Sequence, residues 1–118
     1  MKKIAIIVLA DTETFEGLGR VVNGLEAARE LTQAGHSVEV IFDGAGTRWV
    51  GKLSSPEHRA HALYTAVRDR VTGACSFCAG AFGVADEVKS CGVRLVDEHA
   101  GHPSVRRLVE ADARILTY

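Results

Sequence analysis

The hydrophobic pattern divides the chain into short apolar runs alternating with longer amphipathic stretches. Ile4-Ala5-Ile6-Ile7-Val8-Leu9-Ala10 is continuous and rich in β-branched residues, the pattern of a strand buried on both faces of a parallel sheet. Over residues 18–34, Val21, Val22, Leu25, Ala28, Leu31 and Thr32 recur at helical spacing, and Gly35 stands where a left-handed C-terminal cap is wanted. A second strand is predicted over residues 38–42, followed by the turn Asp43-Gly44-Ala45-Gly46-Thr47 and a short helix through Trp49 and Leu53. Ser54, Ser55, Pro56 and Glu57 offer a cap, a first-turn proline and an acid at the positive helix end, so a helix is expected over residues 56–70.

Residues 71–75 form a short, glycine-interrupted third strand, and helical spacing resumes over 78–90, with Phe82, Ala85, Val88 and Lys89 on one face and Gly92 as a stop. A fourth strand follows over 93–96, Pro103 opens a helix through Val105, Leu108 and Val109, and residues 114–118 close the chain as a fifth strand. Strands alternating with helices imply right-handed crossovers. The expected fold class is α/β: a three-layer α/β/α sandwich, one domain over residues 1–118, with a mainly parallel sheet of about five strands.

Composition narrows the function classes. The net charge is −1, with 47% hydrophobic and 25% charged residues, which argues against a disordered tail and against an electrostatic nucleic-acid binder. The apolar run after Lys2-Lys3 is short and leads into Asp11, Glu13 and Glu16, unlike a secretory signal. No stretch approaches the roughly 20 apolar residues of a membrane span. Three cysteines, an odd number without framework spacing, fit reducing cytoplasm.

The candidate chemistry lies in Thr72-Gly73-Ala74-Cys75-Ser76-Phe77-Cys78-Ala79-Gly80-Ala81-Phe82-Gly83-Val84. In parallel α/β sheets ligands sit beyond the carboxyl ends of the strands. Those ends carry Asp11, Asp43, Gly44, Cys75 and His99, so Cys75 and Cys78 are the candidate reactive thiols and Asp11, Asp43, Gly44 and His99 the candidate substrate-binding residues. Free amides at the start of the following helix are expected to stabilise a Cys75 thiolate; the alternative is a small buried hydrophobe. Cys78 reads as a resolving thiol, a metal ligand or a core residue, and Cys91 as structural. His99-x-x-His102 offers a second half for a zinc site with Cys75 and Cys78, but His102 also precedes Pro103, where it suits a helix cap. His58 and His61 are expected on a solvated helix face. The acidic loop from Asp11 to Glu16 fits either a binding loop or the helix dipole. The glycine turn after Asp43 lacks the lysine of a phosphate loop, and Trp49 reads as packing or interface.

The chain resembles the DsrE/DsrF-like (YchN-like) sulfur-relay family. The similarity runs through the opening strand Ile4 to Leu9, the helix Leu25 to Leu31 closed by Gly35, the strand ending Phe42-Asp43-Gly44, Cys75 to Val84, and Gly101-His102-Pro103-Ser104. Cys75 with Gly83-Val84 matches the spacing of the carrier cysteine and its following glycine. Two positions depart: Cys78 stands where carriers have alanine, and Phe82 where an arginine precedes that glycine. The resemblance implies a persulfide carrier at Cys75, or a thiol-redox protein when Cys78 forms a disulfide with it. It also implies no metal or organic cofactor, a sulfur donor or acceptor protein as partner, and a homotrimer or homohexamer. The readings it leaves beside it are a non-catalytic small-ligand-binding module and a zinc-binding protein.

Overall fold

The computed structural model describes residues 1–118. Strands β1 (Lys3–Val8), β2 (Ser37–Phe42), β3 (Val71–Cys75), β4 (Leu95–Val96) and β5 (Arg114–Thr117) form one sheet in the order β4-β3-β2-β1-β5, and every pairing is parallel. Helices α1 (Phe15–Gln33), α2 (Trp49–Ser54), α3 (His61–Val67), α4 (Ser76–Ala81), α5 (Ala85–Ser90) and α6 (Val105–Glu110) make the crossovers. The three-layer α/β/α sandwich read from the sequence is the observed architecture.

The steps from β1 to β4 all run in one direction across the sheet, so right-handed crossovers place their helices on one face. The return step from β4 to β5 places α6 on the other. Side-chain alternation along β1 records this division. Ile4, Ile6 and Val8 pack with Val21, Leu25, Ala28, Phe42, Trp49 and Leu53 in the main core, whereas Ala5, with Ile41 and Leu108, forms the small cluster beneath α6. No helix is long and apolar enough to cross a membrane.

Local chemistry sets the element ends. Thr14 caps α1 by accepting the Gly17 N–H at 3.0 Å, so the helix begins earlier than the spacing from Leu18 suggests. It ends as expected at Gly35, with φ at +88°, and the His36 N–H reaches the Leu31 carbonyl at 3.1 Å while the Gly35 N–H reaches that of Thr32 at 3.0 Å. These are the two bonds of a Schellman cap.

Three expected elements are corrected. The helix placed over 56–70 begins only at His61 and finishes in a 3-10 turn, Arg68–Arg70. Ser54 Oγ instead donates to the Val50 carbonyl and Ser55 Oγ to Glu57, so neither caps it. Ser55, preceding proline, is extended at ψ 126°, as the clash with the proline ring requires. The helix placed over 78–90 is two helices, α4 and α5, because Gly83 takes φ +72° between them; Phe82 and Lys89 consequently face solvent. The strand placed over 93–96 pairs only at Leu95 and Val96.

After β2 the chain turns through a 3-10 segment, Gly44–Arg48, whose capping residue is Asp43. Gly46 lies so close to β1 that a Cβ there would run into the Val8 carbonyl oxygen, whereas Gly19, on the exposed face of α1, has open space around it. Gly46→Ala is therefore expected to destabilise the protein by about 1–3 kcal/mol through overpacking. Gly19→Ala should stabilise it by about 0.5–1 kcal/mol through helix propensity. Urea unfolding of both variants checks the pair, and equal effects would contradict the close approach at Gly46.

Candidate functional site

Three segments converge at the carboxyl edge of the sheet. Cys75 is the last residue of β3, fully buried, and also the N-cap of α4. Its Sγ accepts the Cys78 N–H at 3.3 Å. Cys78, in the first turn of α4, is half-buried, and its Sγ lies 3.6 Å from Asp43 Oδ1. Asp43 leaves β2 here, its carboxylate fixed by the Gly44 N–H at 2.8 Å.

The third segment is the loop after β4. The backbones of His99 and His102 exchange two hydrogen bonds of 2.8 Å, and the residues between them, Ala100 and Gly101, have φ of +50° and +84°. Positive φ at both central positions marks a type I′ turn. The Gly101 carbonyl accepts the Phe77 N–H at 2.9 Å, which docks the turn on the start of α4. His102 Nδ1 then lies 3.3 Å from Cys75 Sγ, with its ring against Phe77 at a centroid distance of 4.8 Å. The far side of the loop is anchored by Arg107, 2.9 Å from Glu39 and 3.2 Å from Glu98, and Glu98 accepts the Ser104 N–H at 3.0 Å.

One donor atom from each of Asp43, Cys75, Cys78 and His102 thus lies within 4.8 Å of the other three. Of the residues singled out in the sequence, Cys75, Cys78, Asp43 and His102 meet. His99 contributes its backbone to the turn, and its ring is not among the clustered donors. It borders, with Asp43, Glu98, His102, Ser104 and Arg106, a depression beside the cluster. Gly44 shapes the turn after Asp43 with φ +54°. Asp11 belongs elsewhere: it pairs with Arg48 at 2.9 Å and borders a separate groove with Thr14, Arg20 and Tyr118.

The other candidates have structural partners. His102 does not cap α6; Ser104 does, accepting the Arg107 N–H at 3.1 Å. His58 and His61 are not solvated on a helix face. His58 lies before α3 with its ring edge-on to Trp49 at 5.9 Å, and His61 Nδ1 is 2.8 Å from the Leu53 carbonyl. Trp49 is buried and donates to the Ala10 carbonyl at 2.9 Å. Cys91 packs against the main core. Beside the His99-x-x-His102 spacing, the Ala-Gly pair between the two histidines is a sequence signal for the tight turn that carries His102.

Electrostatics reverse the expected state of Cys75. Burial penalises the thiolate and, with Cys78 and the Asp43 carboxylate adding to it, pushes the Cys75 thiol from its ordinary 9.0 up to about 12. The Cys78 N–H pulls the other way and loses, because the desolvation of the buried sulfur is the larger effect. Below about pH 9 the folded and unfolded chains both keep this proton. As pH rises toward 12 the unfolded chain releases it first, so stability falls across that window. Urea midpoints measured from about pH 8 to about pH 11 should decline less steeply in Cys75→Ala than in the wild type. Alkylation of the folded protein should label Cys78 before Cys75, and the opposite order would contradict the burial.

The fold and site together define a parallel α/β sandwich that presents two thiols, an imidazole and a carboxylate at its strand ends. No protein-family model matches the chain. It is 29% identical over 89 residues, 75% of this chain and 72% of the relative, to the uncharacterized protein MJ0733 of Methanocaldococcus jannaschii. Among solved structures it superposes, with a TM-score of 0.64 and 16% identity over 97% of this chain and 94% of the other, on BT1422 of Bacteroides thetaiotaomicron, a conserved protein of unknown function. The second likeness shows the fold alone.

Proposed function

We propose that the chain is a cysteine-based sulfur-transfer or thiol-redox protein of the DsrE/DsrF-like type, working through Cys78 and Cys75. The observation that carries this reading is the meeting of both sulfurs beside an imidazole nitrogen, 3.3 Å from Cys75 Sγ, at the sheet edge where ligands of such folds bind. Exposure supports an order. Cys78 is the entry thiol because it is half-exposed, and Cys75 is the buried partner.

In this reading the Cys78 thiolate attacks the outer sulfur of a donor persulfide. A new S–S bond forms at Cys78, the donor's S–S bond breaks, and the donor leaves as a thiolate that takes up a proton. The sulfane sulfur passes to an acceptor thiol by the same exchange. Alternatively, Cys75 attacks the Cys78 sulfur, its proton moving to His102 Nδ1; hydrosulfide leaves and a Cys75–Cys78 disulfide remains, which an external dithiol reduces. A base beside a nucleophilic thiol is the ordinary way to activate one that is not ionised by itself.

The reading brings a donor or acceptor protein as partner and an assembly of three or six copies. Phe77 and Phe82, on and after α4, are 60% and 44% exposed and offer apolar surface beside the site for either. Incubation with a persulfide donor followed by intact-mass measurement tests the chemistry. The wild type should gain one sulfur atom, Cys78→Ser should gain none, and Cys75→Ser should load but fail to release hydrosulfide. Absence of loading on the wild type, or equal loading of Cys78→Ser, would overturn the reading.

A further inference from the structure

We propose that Asp43, Cys75, Cys78 and His102 form a four-coordinate site for a zinc-class divalent metal ion. The inference stands on the geometry of the four side chains and does not rest on sulfur transfer. The set contains two sulfurs, one imidazole nitrogen and one carboxylate oxygen. Hard cations such as calcium and magnesium select oxygen ligands, whereas sulfur with imidazole suits zinc and its neighbours in the transition series.

The spacings fit such an ion. Zinc holds sulfur at about 2.3 Å, nitrogen at about 2.0–2.1 Å and carboxylate oxygen at about 2.0–2.2 Å. In a tetrahedron the ligand atoms are separated by roughly 1.6 times those lengths, or about 3.3–3.8 Å. Cys75 Sγ and His102 Nδ1 are 3.3 Å apart, and Cys78 Sγ and Asp43 Oδ1 are 3.6 Å apart. The remaining pairs are within 4.8 Å, no more than about 1 Å above the tetrahedral range.

The scaffold is also that of a metal knuckle. Cys75-x-x-Cys78 has the short cysteine spacing of structural zinc sites, and the Cys78 N–H already bonds Cys75 Sγ. Two of the ligands are held from outside: Asp43 by the Gly44 N–H, His102 by the I′ turn and the Phe77 ring. Such outer contacts orient ligands and raise affinity. His102 binds through Nδ1 and keeps its proton on Nε2. Binding displaces one proton from each thiol, and with all four positions taken by protein the ion holds the site together without an open position for substrate.

Titration of chelator-treated protein with zinc and with cobalt tests the site. The expected result is one equivalent of metal per chain, a raised melting temperature, and for cobalt the absorption bands of a tetrahedral ion bearing thiolates. His102→Ala, Asp43→Asn, Cys75→Ser and Cys78→Ser should each weaken binding by more than about 100-fold, above what losing an outer contact costs. His99→Ala and Cys91→Ser should bind as the wild type does. Asp43→Asn keeps an oxygen for the Gly44 N–H, so it reports on the ligand even where a cysteine variant fails to fold. Substoichiometric metal, a cobalt spectrum without thiolate bands, or equal loss in His99→Ala and His102→Ala would overturn the proposal. A protein that binds metal and never gains sulfur would overturn only the transfer reading, and the reverse result only the metal site.

Discussion

The contact on which this site depends is a backbone hydrogen bond, from the Phe77 N–H to the Gly101 carbonyl at 2.9 Å. It joins the first turn of α4 to the His99–His102 turn and thereby sets an imidazole on a buried thiol. The turn is held against its own preference. Ala100 sits at φ +50°, a conformation that costs a residue with a side chain about 1–2 kcal/mol. The paired bonds between His99 and His102 and the docking on α4 offset that cost. Without the turn, Cys75 is a small buried hydrophobe at a strand end, which is the commonest role of a free cysteine.

Topology explains why this loop reaches Cys75. The chain steps outward from β1 to β4 and must return across the whole sheet to place β5 beside β1. That return begins at the carboxyl end of β4, which pairs with β3 up to Cys75 and Val96. The loop therefore starts next to Cys75. α4 itself is short, ending at Ala81, and Gly83 turns the chain into α5. On the outer side Arg107 joins Glu39 of β2 to Glu98 of the loop, so α6 braces the site from the sparsely covered face of the sheet.

Much of this was legible in the sequence, for identifiable reasons. The strand at Ile4 to Val8 and the helix closed by Gly35 follow from local periodicity and capping, which depend on near neighbours only. Cys75 and Cys78 were legible because a strand end is a privileged place in a parallel sheet. The segment after Pro56 was misread because Ser54 bonds backward to Val50 and Ser55 bonds Glu57, a choice between local partners that the sequence leaves open. The meeting of Asp43 with Cys78 spans 35 residues and has no local signature. The ionisation of Cys75 was misjudged for a similar reason. A helix start is visible in sequence, but the desolvation that outweighs it is a property of the assembled core.

Both proposed chemistries begin with the same obstacle, a buried thiol pushed up to about 12. Ionising Cys75 as the pocket stands sets a thiolate against the carboxylate of Asp43, which is repulsive, in surroundings that screen it poorly. Two things lift the obstacle. A cation among the donors pairs both thiolates and the carboxylate at once, and a neutral imidazole takes the proton only while a new sulfur bond is forming. Both proposals call on His102 through the same atom, Nδ1, which lies 3.3 Å from Cys75 Sγ. A bound ion therefore removes the base as well as the nucleophiles. Metal binding and sulfur exchange, as proposed, draw on one arrangement of atoms, and at any moment it can serve only one of them.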